Sequence, residues 1–212
     1  MPKLKKPRVV EVAAPELARP DWIVVALALV GLGVAGYLTA LKLGGTQAFL
    51  CRGGSGCDLV QASRYSVLAG VPTAMWGAGI YVAIAVLAAM PRTARRWQAA
   101  FMLVSGAVAF SLYLTYISIF VIGSTCPYCL ASGGIAVALL VAMLWRRAPA
   151  HGRQAATYKP GRLAGLGITA GVFTVLLGAF IFAADYSVPA GYQSALARHL
   201  TKSQGLFYGA FW

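Results

Sequence analysis

The sequence predicts an all-α integral membrane protein in which a four-helix core is followed by a fifth transmembrane helix. Hydrophobic residues make up 59% of the chain and charged residues only 11%, a composition far from that of a soluble domain. Five apolar segments approach or exceed the about 20 residues that a helix needs to cross a bilayer. None of the five contains Lys, Arg, Asp or Glu, and the lipid interior requires the spanning backbone to be helical.

The chain divides around these five segments. The predicted spans are Trp22–Leu41, Val71–Met90, Ala99–Ile122, Pro127–Trp145 and Leu163–Ala184. The first four form the core, residues 22–145, which follows a basic N-terminal segment, residues 1–21. A second basic segment, residues 146–162, leads to the fifth span at 163–184, and residues 185–212 form a tail. The first span is too long for a typical signal peptide and is expected to remain as an anchor.

The net charge of +13 orients the protein in a membrane and does not indicate nucleic-acid binding. Thirteen of the 18 basic residues precede the first span, join spans two and three, or join spans four and five. Alternating spans place these three segments on one side, which the positive-inside rule makes cytoplasmic. We therefore expect a multi-pass protein with a cytoplasmic N-terminus.

The four cysteines form two pairs, and both pairs are expected on the non-cytoplasmic side, where disulfides persist. The second pair is Cys126-Pro-Tyr-Cys129 at the start of span four. Because Pro127 suits the first position of a helix, Cys126 is predicted near the N-cap, where the helix dipole favours a thiolate. We expect Cys126 to face the aqueous side and Cys129, one turn later, to lie deeper towards the bundle.

The first pair, Cys51-Arg-Gly-Gly-Ser-Gly-Cys57, lies in the loop after span one. Its glycines predict a mobile loop that closes or opens a disulfide at little steric cost. Asp58 is a candidate N-cap for a short helix over Leu59–Tyr65. Ser63 lies on this segment, where its hydroxyl is within reach of a thiolate or a substrate oxygen if the segment folds over the bundle.

Three interpretations of the cysteines remain open from their spacing alone. Close-spaced dithiols at the mouth of a membrane bundle favour a relay by disulfide exchange. Alternatively, the four residues form two structural disulfides in a membrane anchor, or they bind structural zinc. Transport is disfavoured because the spans lack charged residues and show no evident inverted repeat.

These residues together resemble the vitamin K epoxide reductase family, especially its bacterial members. The resemblance covers about Trp22–Trp145 and follows the family's order. It comprises the loop pair Cys51 and Cys57, Ser63, the Gly70-Val71-Pro72 entry to span two, Gly77 and Tyr81, and Cys126-x-x-Cys129.

The resemblance implies a thiol oxidoreductase of the bacterial inner membrane with its active site on the periplasmic side. A thioredoxin-like protein or fused domain would reduce the loop pair at Cys51, and Cys57 would attack Cys126 and release Cys129. Cys129 would then deliver electrons to a quinone, such as ubiquinone, menaquinone or phylloquinone, without a metal. The net reaction would form disulfides in exported proteins.

The resemblance also places a quinone pocket inside the bundle. Its candidates in this chain are Ser63, Thr73, Trp76, Tyr113 and Tyr116, although aromatic residues on such helices more often pack or lie at the interface. Animal enzymes of the family carry an Asn and a Tyr where this chain has Thr73 and Gly133. Quinone reduction is therefore expected rather than reduction of vitamin K epoxide, which remains the alternative.

The tail resembles the connection to the thioredoxin-like domain that bacterial relatives often carry. Residues 196–201 predict a short amphipathic helix, and residues 206–212 predict the first strand of that domain. A strand without a sheet leaves its edge unpaired, so we expect the native chain to continue.

Overall fold

The computed structural model describes residues 20–44, 56–91, 93–146 and 160–187. Within these ranges the elements are, in chain order, α1 (Trp22–Gly44), α2 (Gly56–Ala62), a 3₁₀ turn (Arg64–Ser66), β1 (Val67–Leu68), β2 (Val71–Pro72), α3 (Thr73–Ala89), α4 (Ala94–Ile117), a π-helical turn (Ser118–Ile122), α5 (Pro127–Trp145) and α6 (Pro160–Ser187). The predictions for Cys51 and for the tail fall outside the described residues.

The long helices form a ring of four with a fifth on its outside. Helix α1 packs against α3 and α5, and α4 packs against α3 and α5, which closes the ring. One fully buried residue from each helix meets in a common core, namely Ala28, Ile84, Val104 and Leu139. The predicted all-α membrane fold with a four-helix core is thereby confirmed.

Helix α6 packs mainly on α4, outside the ring. Small residues make this contact close: a Cβ built on Gly171 would lie 3.0 Å from the Cβ of Ala109, and one on Gly167 would lie 3.4 Å from Ser105 Oγ. Small residues spaced four apart allow helices to approach in this way within a membrane.

Four of the described helices are long and apolar enough to span a bilayer, and the fifth apolar helix is shorter. Helix α5 has the predicted bounds, whereas α1 and α6 extend past theirs. Helix α4 begins five residues before the predicted Ala99 and ends at Ile117, where the π-helical turn continues to the predicted end at Ile122. The predicted second span, Val71–Met90, is wrong at its start. Val71 and Pro72 pair with Leu68 and Val67 in a hairpin, so α3 begins only at Thr73. Its 17 residues reach about 25 Å, and a slightly short span is accommodated by thinning of the bilayer.

The two ends of the bundle differ in the contacts that hold them together. At the end where α1 begins, the Asp21 carboxylate is buried and lies 3.5 Å from the Arg146 guanidinium at the end of α5. The Asp21 amide also donates to the Ala88 carbonyl in α3. These contacts fix three helices to one another at the predicted cytoplasmic face, and Cys57, Cys126 and Cys129 lie at the opposite end.

Candidate active site

The Cys126-Pro-Tyr-Cys129 segment forms the first turn of α5, as predicted. Cys126 is the N-cap in extended conformation, Pro127 follows at the first helical position, and the Leu130 amide donates to the Cys126 carbonyl at 3.0 Å. Proline loses nothing here because the first N–H groups of a helix have no intrahelical partner. The thiol of Cys126 is therefore presented at the positive end of the helix.

Cys126 does not face water, which corrects the sequence-based expectation. Its side chain is 1% exposed and shares a small apolar cluster with Cys57, which is 2% exposed. Val60 of α2 and Tyr128 of α5 pack around the two sulfur-bearing residues. The reason is that α2 folds over the start of α5 and shields it from solvent.

Helix α2 itself differs from the predicted short helix. It covers Gly56–Ala62 rather than Leu59–Tyr65, and Asp58 lies inside it rather than at its N-cap. Arg64–Ser66 form a separate 3₁₀ turn after Ser63. As a result Cys57 is part of the helix, and not part of a flexible loop that precedes it.

The segment that leads into Cys126 is closed by specific hydrogen bonds. The Ser118 hydroxyl donates to the Ser124 carbonyl at 2.5 Å, and the Ser124 amide donates back to the Ser118 carbonyl at 3.0 Å. Gly123 ends the π-helical turn with a φ of 72°, the left-handed region that favours glycine. These contacts define the path of residues 123–126 and thereby the position of the Cys126 sulfur.

The electrostatics of the pair favour ionisation of Cys126. Hydrogen bonding from the Cys129 side chain, together with the backbone N–H groups of Cys129 and Tyr128, lowers the pKa of Cys126 to about 6. Burial opposes this effect, but the hydrogen bonds dominate. Cys126 and Cys129 are both free thiols, whereas Cys57 is disulfide-bonded. A low pKa makes Cys126 both a good nucleophile at neutral pH and a good leaving group.

Cys129 is exposed although it lies on the inward stripe of α5. Its spacing from the buried residues Ala136 and Leu139 places all three on one face of the helix. The Cys129 side chain is thus more exposed than the residues further along the same face.

Tyr81 crosses the bundle to the turn that follows Cys129. Its ring from α3 lies against Gly31 of α1, and its hydroxyl donates to the Ser132 carbonyl of α5 at 2.8 Å. The Ser132 hydroxyl lies 3.1 Å from the same phenol oxygen. Tyr81 is only 4% exposed, so this contact fixes the spacing of three helices below the active-site turn.

Three of the predicted quinone-pocket residues use their polar atoms to hold the connection between α2 and α3. The hydroxyl of Ser63 donates to the Val60 carbonyl at 2.7 Å, that of Thr73 to the Tyr65 carbonyl at 2.9 Å, and the Trp76 indole to the Leu68 carbonyl at 3.3 Å. The structure therefore brings Ser63, Thr73 and Trp76 together around one segment.

The two tyrosines predicted for the pocket differ in environment. Tyr113 is half-buried and packs against Phe110, with ring centroids 6.1 Å apart. Tyr116 is 59% exposed and packs on Phe120 at 4.9 Å, on the outer surface of α4 and its π-helical turn. Tyr113 is thus closer to the bundle interior than Tyr116.

Sequence reasoning missed the residues that fix the site without reacting. They include Ser132, the Ser118–Ser124 pair and Lys42, whose ammonium bonds to the α2 connection. Single serines carry no distinctive sequence signal, since their role here depends on residues distant in the chain. Within the described ranges, no group of three or more His, Cys, Asp or Glu residues could hold a metal ion.

Comparison with known proteins agrees with the geometry. A family model described as "Vitamin K epoxide reductase family" matches residues 22–144, which include α1 to α4 and all of α5 except its last residue. The curated relatives include the protein named thiol-disulfide oxidoreductase LTO1 from Arabidopsis thaliana, which is 26% identical over 206 residues. That alignment covers 83% of this chain and 52% of the relative, so the chain spans about half the length of LTO1.

Proposed function

The chain belongs to the vitamin K epoxide reductase family, and from this membership we propose that it is a membrane thiol oxidoreductase that passes electrons from a dithiol protein to a quinone. The observation that carries the proposal is the burial of Cys57 and Cys126 in one cluster at the start of α5. Two sulfurs shielded together from solvent are suited to exchange with each other rather than with small thiols.

The proposed relay has three exchange steps. A dithiol partner reduces the disulfide between Cys51 and Cys57 and itself becomes a disulfide. The Cys57 thiolate then attacks Cys126 of a Cys126–Cys129 disulfide, and Cys129 leaves with the electron pair of the broken bond. Attack of Cys51 on Cys57 restores the first disulfide and releases the Cys126 thiolate.

The oxidant in the last step is the quinone, which takes two electrons and two protons as Cys126 and Cys129 form a disulfide again. Cys129 is the exposed member of the pair, and in this proposal it is the sulfur that an acceptor dissolved in the bilayer meets. The arrangement of free thiols at Cys126 and Cys129 with a disulfide at Cys57 corresponds to the stage before the quinone reacts.

The low pKa of Cys126 supports the order of these steps. Hydrogen bonds stabilise the thiolate of Cys126 and lower its pKa to about 6. Cys126 is therefore a good leaving group when Cys51 attacks the mixed disulfide between Cys57 and Cys126. Reduction of vitamin K epoxide is less well supported, since the Thr73 hydroxyl is bonded to the Tyr65 carbonyl and Gly133 has no side chain.

The proposal includes an orientation and a partner. The resemblance to bacterial family members implies a bacterial inner membrane, and the basic segments favour a cytoplasmic N-terminus with the cysteines on the periplasmic side. A thioredoxin-like protein, separate or fused, is the proposed electron donor. Together with it the enzyme would form disulfides in exported proteins.

The test is quinone reduction by the purified protein with dithiothreitol as donor. Wild type is expected to turn over and Cys129→Ala to be inactive, because Cys126 alone cannot form the disulfide that releases electrons. Cys51→Ala is the matched cysteine control, and it is expected to lose activity mainly with a protein donor. No turnover by the wild type, together with stoichiometric bound zinc, would favour the membrane-anchor alternative.

A further inference from the structure

Helix α2 meets the segment before α5 through backbone atoms, at the residue that precedes Cys57. A Cβ built on Gly56 would lie 2.6 Å from the Thr125 carbonyl oxygen, 3.0 Å from the Thr125 nitrogen and 3.3 Å from the Ser124 Cβ. Carbon atoms in proteins pack at about 3.5 to 4.0 Å, so any side chain at this position forces the two segments apart. The two nearest atoms belong to the backbone and cannot rotate away.

The other end of α2 is fixed by a cation. The Lys42 ammonium at the end of α1 donates to the Gln61 carbonyl at 2.5 Å and to the Ser66 hydroxyl at 3.0 Å. Helix α2 is thus attached to α1 at one end and in contact with Thr125 at the other. The close contact at Gly56 therefore requires a residue without a side chain at this position.

The surface that Gly56 contacts is itself well defined. The reciprocal hydrogen bonds of Ser118 and Ser124 hold the chain one residue before Thr125, and Cys126 follows Thr125 directly. Gly56 and Thr125 are therefore the immediate neighbours of Cys57 and Cys126. Their separation sets how closely the two cysteines approach.

We propose that Gly56 is a positioning residue for thiol–disulfide exchange between Cys57 and Cys126, acting through its backbone contact with Thr125. The inference rests on the proposed relay. In the step concerned, the bond between Cys57 and Cys126 forms as the Cys126–Cys129 bond breaks, and Cys129 departs as the thiolate. A side chain at Gly56 would move Cys57 away from Cys126. This displacement is expected to slow the exchange between the two cysteines.

The direct test uses a protein whose remaining cysteines are Cys57 and Cys126, obtained with Cys51→Ser and Cys129→Ser. Diamide accepts two electrons and two protons as these two thiols form a disulfide, and the rate follows from the loss of thiols. Adding Gly56→Ala is expected to slow disulfide formation by about tenfold to a hundredfold, the range that a misplacement of about 1 Å produces. An unchanged rate overturns the proposal.

Gly79→Ala is the matched control, because a Cβ on Gly79 of α3 meets no atom within 4 Å. It is expected to leave the rate of disulfide formation unchanged. A comparable loss in Gly79→Ala would show that the effect of Gly56→Ala is not specific and would also overturn the proposal.

A second measurement in the four-cysteine protein separates positioning from general damage. After full reduction, a single oxidation of Cys126 and Cys129 by quinone does not involve Cys57 and is expected to proceed at the wild-type rate in Gly56→Ala. Steady-state turnover with a thioredoxin-like donor is expected to show a lower kcat with an unchanged KM. Slow oxidation by quinone in the same variant would contradict a role confined to the exchange.

The outcomes also distinguish this proposal from the proposed function. If the wild type does not reduce quinone but Gly56→Ala slows disulfide formation, the relay fails while the positioning role stands. If the wild type is active and Gly56→Ala matches it in both assays, only the positioning role fails. If Gly56→Ala does not assemble, Lys42→Met releases the other end of α2, and an unchanged rate of disulfide formation there overturns the proposal.

Discussion

The contact between Gly31 and Tyr81 allows a stability prediction whose size follows from distances. A Cβ on Gly31 would lie 2.5 to 2.7 Å from three ring carbons of Tyr81. Restoring an ordinary carbon–carbon distance requires a shift of about 1 Å. The ring cannot move freely, because its hydroxyl is bonded to the Ser132 carbonyl and the side chain is buried among α1, α3 and α5.

Gly31→Ala is therefore expected to be destabilising despite the better helix propensity of alanine. Overpacking of this kind costs about 1 to 3 kcal/mol. Replacement of a helical glycine by alanine contributes about 1 kcal/mol in the opposite direction. Gly33→Ala on the same helix makes the same chemical change where a Cβ meets nothing within 4 Å, so it isolates the propensity. The difference between the two variants is then the cost of the clash alone, about 1 to 3 kcal/mol.

The assay is reversible unfolding of both variants in mixed detergent micelles, followed by quinone reduction with dithiothreitol. Gly31→Ala is expected to unfold earlier than Gly33→Ala and to turn over more slowly, because Ser132 lies one turn after Cys129. A double-variant cycle with Tyr81→Leu checks the cause, since the penalty of Gly31→Ala should fall once the ring is absent. Equal stability of Gly31→Ala and Gly33→Ala would refute the reasoning.

Two further predictions concern the active-site turn. In the reduced protein, the thiolate absorbance of Cys126 is expected to titrate with a midpoint of about 6 and to move upwards in Cys129→Ala, which lacks the main hydrogen-bonding partner. The pKa of Cys126 in the folded protein lies below its unfolded value of about 8.5, so ionisation of Cys126 stabilises the fold above pH 8.5. This contribution to stability is lost as the pH falls through about 6. A titration midpoint near 8.5 in the wild type contradicts the prediction. Gly123→Ala is expected to cost about 1 to 2 kcal/mol, because φ is positive there, while Gly134→Ala, which adds a Cβ in open space on α5, serves as its control in thermal unfolding.

The sequence predicted those parts of the fold that depend on neighbouring residues. Helix α5 has the predicted bounds because Pro127 favours the first helical position and charge begins again at Arg146. The predicted start of α3 was wrong because Val71 and Pro72 are as apolar as the helix that follows them. Their pairing with Val67 and Leu68 depends on a turn at residues 69–70, where Ala69 adopts an unusual positive φ of 53°.

The candidate site was predictable in composition and not in geometry. Spacing and order indicated the cysteines as candidates, but the burial of Cys126 depends on α2, which lies about 70 residues earlier in the chain. The role of Gly56 likewise depends on Thr125, and that of Tyr81 on Gly31 and Ser132. No local pattern encodes such contacts, because each arises only when distant helices pack.

The contrast in exposure between the cysteines has a chemical consequence for the proposed relay. A thiolate at Cys126 with a pKa of about 6 would react readily with oxidants and with foreign disulfides if it were accessible. It is instead covered by α2, and Cys57 is the disulfide-bonded sulfur nearest to it in the buried cluster. Cys129, the exposed partner, donates the hydrogen bond that lowers the pKa of Cys126 and so retains its own proton. In the proposed relay, the reactive thiolate of Cys126 is thereby shielded by α2, while the protonated sulfur of Cys129 is the exposed one that the proposed quinone would meet.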